Sequence, residues 1–293
     1  LVDAHPGAAP VPASKLKMPL RLSEHLTDDG RVDESAIDQL IEFIRQGQEL
    51  AEDLGATQIM AFATSAIREA ANGEQVLNRV KEETGLDIAV LTGEDEARMT
   101  FLAVRRWFGW SSGRILAVDI GGGSLELASG TDEEPDVAVS LPLGAGRLTR
   151  DLLVGDPFTP KSVKAVRRHA RATIAEAVGR IRRVGEPRIA VATSKTFKQL
   201  ARICGAAPAS EGIHVPRVLK AVDLHEVVPR LAELSASERG ELPGVSVGRS
   251  EQMVAGAIVA EAAMDLLEIE QLIVCPWALR EGIILRRMDG LAP

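Results

Sequence analysis

The chain predicts an α/β fold in two parts, and three features of its 293 residues carry that prediction. Short apolar runs alternate with longer segments of helical period, as in mixed folds whose strands are joined by helices. The pattern breaks at Gly109–Gly113 and then restarts. In the second half, "AVDIGGGSLELAS" reads as strand, glycine turn, strand, so the sheet there is not a simple doubly wound one.

The elements follow in order. Leu1–Asp33 holds strand-like pieces broken by Pro and Gly, and its opening at Leu1 predicts that residues precede it. From Glu34 to Leu54, Ile37, Leu40, Ile41, Ile44 and Leu50 recur at helical spacing. Residues Gln58–Ala63 read as a strand, with Thr64 and Ser65 suited to cap a helix beginning near Ala66. A helix over Gly73–Thr84, a strand over Asp87–Leu91 and a helix from Gly93 through Phe108 complete the first part. Beyond the break come strands over 114–120, Leu125–Ser129 and Val137–Leu141, then a long helix from Pro160 to Arg183. A strand over Arg188–Ala192 runs into a helix at Ser194–Cys204. Helices over Val218–Leu234 and Arg249–Leu267, a strand over Gln271–Cys275 and a helix over Leu279–Met288 close the chain.

Bulk chemistry narrows the function. A formal net charge of −8 argues against general nucleic-acid binding, while leaving room for a locally positive cleft that takes a small anion. No apolar run reaches membrane-spanning length and no signal-type segment opens the chain, so neither a membrane partner nor export is expected. Cys204 and Cys275 form no CxxC pair, which favours a reducing cytoplasm over a disulfide scaffold. His5, His25, His169, His214 and His225 lack metal-site spacing and read as surface or structural residues.

Five motifs could carry chemistry. In "VDIGGGSLEL" three glycines bring backbone N–H groups close to a ligand, and Asp119 at the end of the strand is placed to hold a metal or its water. A tight hairpin with a structural aspartate is an equal alternative. In "AFATSAIREAANG", Arg68 falls in the first turn of a helix, where a cation is unfavourable unless it shares an anion; an ordinary cap with an exposed arginine is the simpler reading. In "GEDEARMT" the acids suit the helix dipole, but Glu96 is also a candidate to deprotonate water. "VATSKTFKQL" repeats the strand-to-helix turn with Thr193, Ser194, Lys195 and Thr196, and "SLPLGAGRL" supplies flexible backbone at Gly144 and Gly146. No P-loop or dinucleotide fingerprint is present.

Taken together, "ATSAIREAANG", "TGEDEAR", "DIGGGSLEL", "SLPLGAGRL", "ATSKT" and "ALREG" resemble, in order and spacing, the exopolyphosphatase/guanosine pentaphosphate phosphohydrolase (Ppx/GppA) family. The resemblance implies two ribonuclease-H-like domains of the actin/Hsp70/sugar-kinase superfold, residues 1–113 and 114–293, with substrate in a cleft between them. It also implies Glu96 as the catalytic glutamate, acting as base, and Asp119 as holder of metal and nucleophilic water, with Glu126 beside it. Phosphate contacts fall on Thr64, Ser65, Arg68, Gly121, Gly122, Gly123, Ser124, Gly144, Ser194, Lys195, Thr196 and Arg249. The implied cofactor is Mg²⁺ or Mn²⁺, the substrate inorganic polyphosphate or guanosine pentaphosphate, and the assembly a homodimer. Two departures stand out: the family's first phosphate loop, D-x-G-S-N-[ST], is not in this sequence, and Lys195 replaces the glycine of an S-G-T turn. The first also leaves a non-catalytic sensor of polyphosphate, ppGpp or ADP as a rival reading.

Overall fold

The computed structural model describes all residues except 19, 21, 23–25, 28 and 291–293, so His25 lies outside the described residues. The chain divides into two compact units, Leu1–Thr92 with Ile284–Pro293, and Gly93–Ile283. The break at Gly109–Gly113 falls inside the larger unit, in the turn between a helix and the first strand of the main sheet.

In the smaller unit, β1 (Val2–Asp3) pairs antiparallel with β2 (Val11–Pro12). Helix α1 (Glu34–Asp53) starts where the Asp33 side chain accepts from the Ala36 N–H at 2.8 Å, and it buries Ile37, Leu40 and Ile41. Strand β3 (Ala61–Ala63), the single-turn helix α2 (Ser65–Arg68), α3 (Gly73–Thr84) and β4 (Ile88–Val90) follow, with β3 parallel to β4. Their core joins Ala63, Ile67, Val76 and Val80 to the α1 stripe. Buried Asn72 bonds both the N–H and the carbonyl of Val32 at 2.8 and 2.9 Å, tying the segment before α1 to the start of α3.

The larger unit opens with α4 (Gly93–Phe108), β5 (Ile115–Ile120), β6 (Leu125–Gly130) and β7 (Val137–Leu141). Then come α5 (Ala145–Leu152), α6 (Pro160–Arg183), β8 (Ile189–Ala192), α7 (Ser194–Ile203), β9 (Val218–Lys220), α8 (Ala221–Glu233) and α9 (Ala236–Gly240). Helix α10 (Met253–Leu266), β10 (Gln271–Val274) and the start of α11 (Leu279–Asp289) finish it, the residues of α11 from Ile284 onward belonging to the smaller unit. Six strands form one sheet in the order β7-β6-β5-β8-β10-β9. The first three are antiparallel, β5, β8 and β10 are parallel, and β9 is antiparallel at the far edge. This is the ribonuclease-H-like arrangement.

Two helix expectations shift. Val218–Lys220, read as the start of a helix, is the edge strand β9: its β-branched and aliphatic residues find a free neighbour in β10, and the helix begins only at Ala221. The helix expected from Arg249 begins at Met253, because Val247–Arg249 forms a separate 3₁₀ turn.

Strand alternation sorts the sheet into two faces. Ile115 and Ala117 of β5, Ala128 of β6 and Ala138 of β7 pack with Ala97, Phe101 and Val104 of α4. Leu116, Val118, Ile120, Leu125 and Leu127 face the other way, into the core shared with α5, α6, α8 and α10. Helix α10 is buried at eleven of its fourteen residues, so it lacks an amphipathic stripe and fills the centre of that layer. Among the described residues no helix is long and apolar enough to cross a membrane.

Candidate active site

The same alternation that buries Ala117 and Ala128 under α4 puts Asp119 and Glu126 on that face, nearest the glycine turn. The two are direct cross-strand partners in the β5–β6 ladder. Glu96, in the first turn of α4, lies above them with only 8 % of its surface exposed, and its charge reaches Glu126. Three acids from separate chain segments thus meet at the carboxyl end of β5, where α/β sheets place their ligands.

Electrostatics there is tense. Burial, then the neighbouring Asp119 and Glu96 charges, push the Glu126 carboxyl up to about 8, despite hydrogen bonds to Ser124 and Ser140, the latter 2.9 Å long. Burial also raises Asp119, against the opposing pull of a hydrogen bond from Thr193 Oγ1 and the charges of Lys198 and Arg249. Lys198 Nζ donates to the Pro276 carbonyl at 2.9 Å, and burial lowers its pKa. Neither Lys198 nor Ser140 was singled out from the sequence, and the Thr193 contact was not foreseen. Thr193 meets Asp119 because β8 lies parallel beside β5, a pairing that no local motif encodes.

Among the described residues the glycines at positive φ lie elsewhere, so Gly121–Gly123 are not needed for left-handed backbone. The glycine that needs room is Gly144. A Cβ on Gly144 would sit 2.2 Å from Gly123 C and 2.3 Å from Gly122 O, so the start of α5 presses directly on the loop. The contact is held by Ala145 N–H to Gly121 O at 3.0 Å, Arg147 N–H to Gly122 O at 2.9 Å and Arg147 Nε to Gly123 O at 2.8 Å. The loop's carbonyls are thereby spent. Its N–H groups at Gly122, Gly123 and Ser124 donate to no backbone carbonyl among the described residues, and a Cβ on Gly122 would meet nothing within 4 Å. Free N–H groups over open space make an anion cradle.

The β8–α7 turn adds to it. Ser194 is held at φ 72°, a left-handed conformation costly for a side-chain-bearing residue, and its Oγ is buried without a hydrogen bond. Thr196 Oγ1 donates to the Ile120 carbonyl at 3.0 Å, tying α7 to the end of β5, and Lys195 is exposed. Arg249 stands in the 3₁₀ turn, near enough to act on Asp119.

Thr64, Ser65 and Arg68 belong to the smaller unit. Arg68 is not in the opening turn of a long helix: α2 is four residues long and Arg68 is its last, with Nη1 donating to the Leu91 carbonyl at 2.6 Å. The dipole argument for an anion at Arg68 therefore loses its basis. Thr64 caps α2 by backbone conformation without a side-chain bond. Of the histidines, His214 stacks on Trp107 and His225 bonds Glu261 at 2.8 Å. Both cysteines are unbridged.

The motif "ALREG" also gains a physical role. Glu281 Oε2 accepts from the Ala278 N–H at 2.9 Å, and a Cβ on Gly282 would lie 1.8 Å from the Met99 carbonyl oxygen of α4. That glycine allows α11 to rest against the helix that carries Glu96.

Comparison with known proteins agrees with this architecture. Residues 1–290 match the sequence profile of the Ppx/GppA phosphatase family. Exopolyphosphatase 1 of Mycobacterium tuberculosis is 51% identical over 292 residues, covering 100% of this chain and 85% of that protein. The crystal structure of the Aquifex aeolicus Ppx/GppA family member superposes with a TM-score of 0.76 at 26% identity, covering 94% of this chain and 88% of that one. An exopolyphosphatase from Cytophaga hutchinsonii shares the fold at 23% identity, with a TM-score of 0.78 over 89% of this chain and 84% of that one. On sequence, fold and the placement of its motifs, the chain belongs to the Ppx/GppA phosphatase family.

Proposed function

We propose that this protein is an exopolyphosphatase, releasing orthophosphate from the end of an inorganic polyphosphate chain. The observation that carries the reading is the convergence of Glu96, Asp119 and Glu126 on one sheet face, beside a loop with unspent N–H groups. Glu96 takes a proton from water as the water oxygen bonds to the terminal phosphorus and the bridging P–O bond breaks. The N–H groups of Gly122, Gly123 and Ser124, with the Ser194 hydroxyl, hold the phosphoryl oxygens. Gly121 and Gly144 shape the cradle, Thr196 fixes the α7 turn that carries Ser194 and Lys195, and Arg249 brings positive charge to the substrate. In the smaller unit Thr64, Ser65 and Arg68 are the candidate phosphate contacts.

The residues present fit a divalent cation, Mg²⁺ or Mn²⁺ by the family resemblance. Asp119 and Glu126 are cross-strand partners, both raised in pKa chiefly by burial and Glu126 further by the Asp119 charge, so a cation beside them would relieve both. Asp119 and Glu126 would hold the ion. Among the described residues no group of three or more acidic, His or Cys side chains is placed to hold a metal ion, so Asp119 and Glu126 are a partial ligand set. When bound, such an ion offsets charge on the transferring phosphoryl group.

The test is orthophosphate release from tripolyphosphate with Mg²⁺, comparing the wild-type chain with Glu96→Gln. Release by the wild type, lost in the variant while tripolyphosphate binding persists, supports the reading. Release from guanosine pentaphosphate alone would redirect the substrate, and binding without release from either compound would point to a sensor.

A further inference from the structure

A buried arginine outside the site stands behind Arg249. Arg239, on α9, is 0 % exposed, yet its acid partner Asp156 lies 3.3 Å away with a side chain 48% exposed. Burying a guanidinium is costly and lowers its pKa, and the charges of Asp156, Glu251 and Glu238 offset that only in part. The fork is instead satisfied by carbonyl groups. Nη1 donates to Leu234 O at 2.5 Å and Leu231 O at 3.2 Å, closing the end of α8, while Nε donates to Ser250 O at 2.9 Å. The plane stacks over Phe158, 4.7 Å from the ring centre. The capping box of Ser235 and Glu238 fixes the start of α9, so Arg239 is aimed from a rigid base.

Ser250 is the residue after Arg249. The segment it belongs to touches the site on two further sides. Gln199 of α7 donates to Ser246 Oγ at 3.1 Å. The Gln252 amide lies against Gly146, where an added Cβ would meet Gln252 Nε2 at 3.1 Å and Gly122 O at 3.2 Å. The bond to Ser250 O ties this turn to α9.

We infer that Arg239 is a positioning residue for the reaction: by gripping Ser250 O it holds the turn that presents Arg249 to the phosphate site. The inference rests on the reading of Arg249 as a substrate contact. A lysine cannot reproduce it, because a single ammonium cannot span Ser250 O, Leu234 O and Asp156 at once.

The experiment is a double-mutant cycle on tripolyphosphate hydrolysis and on tripolyphosphate affinity by calorimetry, with Arg239→Lys, Arg249→Ala and the pair. The expected result is a roughly 10-fold or larger fall in kcat/KM, carried mainly by KM, for Arg239→Lys, and no further fall when it is added to Arg249→Ala. Arg239→Met leaves the Leu231, Leu234 and Ser250 carbonyls without their donor, so its melting temperature should fall, and assayed well below that melt it should show the same loss in kcat/KM. Independent, multiplicative losses in the cycle overturn the inference, as does a lowered melting temperature with unchanged kcat and KM. A wild type that binds and cleaves no polyphosphate removes the functional reading and this inference with it; additive losses in a cleaving wild type remove the inference alone.

Discussion

Replacing Gly282 by Ala would put a methyl carbon 1.8 Å from the Met99 carbonyl oxygen, 2.6 Å from its carbonyl carbon and 3.2 Å from its Cα. The obstacle is backbone, so no side chain can swing aside. To reach even a tight contact the two helices must separate by roughly 1 Å, since non-bonded carbon contacts are optimal near 3.5–4.0 Å. Met99 stands three residues, just under one helical turn, beyond Glu96 on α4, and Glu96 moves with it. A misplacement of about 1 Å at a catalytic group costs on the order of 100-fold in rate, or about 2.7 kcal/mol of barrier. Overpacking of this kind also costs about 1–3 kcal/mol of stability. The assay is kcat and KM for tripolyphosphate together with a thermal melt, and the expected signature is a fall in kcat with KM little changed. Gly179 of α6 supplies the control: it is exposed, a Cβ there meets nothing within 4 Å, and Ala should gain roughly 0.5–1 kcal/mol at no cost in rate. A Gly282→Ala protein with wild-type kcat and melting temperature would refute the claim that this backbone contact sets the position of Glu96.

The remaining predictions use the same site. Glu126, whose carboxyl titrates at about 8 rather than 4.5, keeps a proton in the folded state that the unfolded chain has lost between those values. Metal-free protein should therefore lose stability as pH rises from about 4.5 to about 8; Glu126→Gln should flatten that slope in melts at stepped pH, and Mg²⁺ should stabilise the wild type at pH 8 more than the variant. Gly144→Ala, with its Cβ 2.2–2.3 Å from three atoms of the glycine turn, should distort the N–H cradle and raise KM for tripolyphosphate at least 10-fold; unchanged kinetics would mean the turn is not the phosphate cradle. Ser194→Gly should relieve the φ 72° strain and raise stability by about 1 kcal/mol in chemical denaturation, whereas Ser194→Val should lower it.

Much of this was legible in the residues themselves. Helical period located α1, α3, α4 and α6 to within a residue or two, because an amphipathic stripe must recur every 3.6 residues to meet one core. The order of six motifs was enough to imply the family and the fold. What the sequence could not settle was which face and which neighbour. Glu96, Asp119 and Glu126 converge only because β5 and β6 pair in one register and α4 covers the same face. A one-residue slip would turn both strand acids into the apolar layer. The local signal at Arg68 misled, since propensity does not reveal that α2 stops after one turn. Val218–Lys220 became a strand because β10 had an edge to offer, and Arg239, silent in sequence, was assigned only by the carbonyls that surround it. Periodicity and motif order are written along the chain, whereas register, strand neighbours and the burial of a charge arise between distant segments and exist only once the chain has packed.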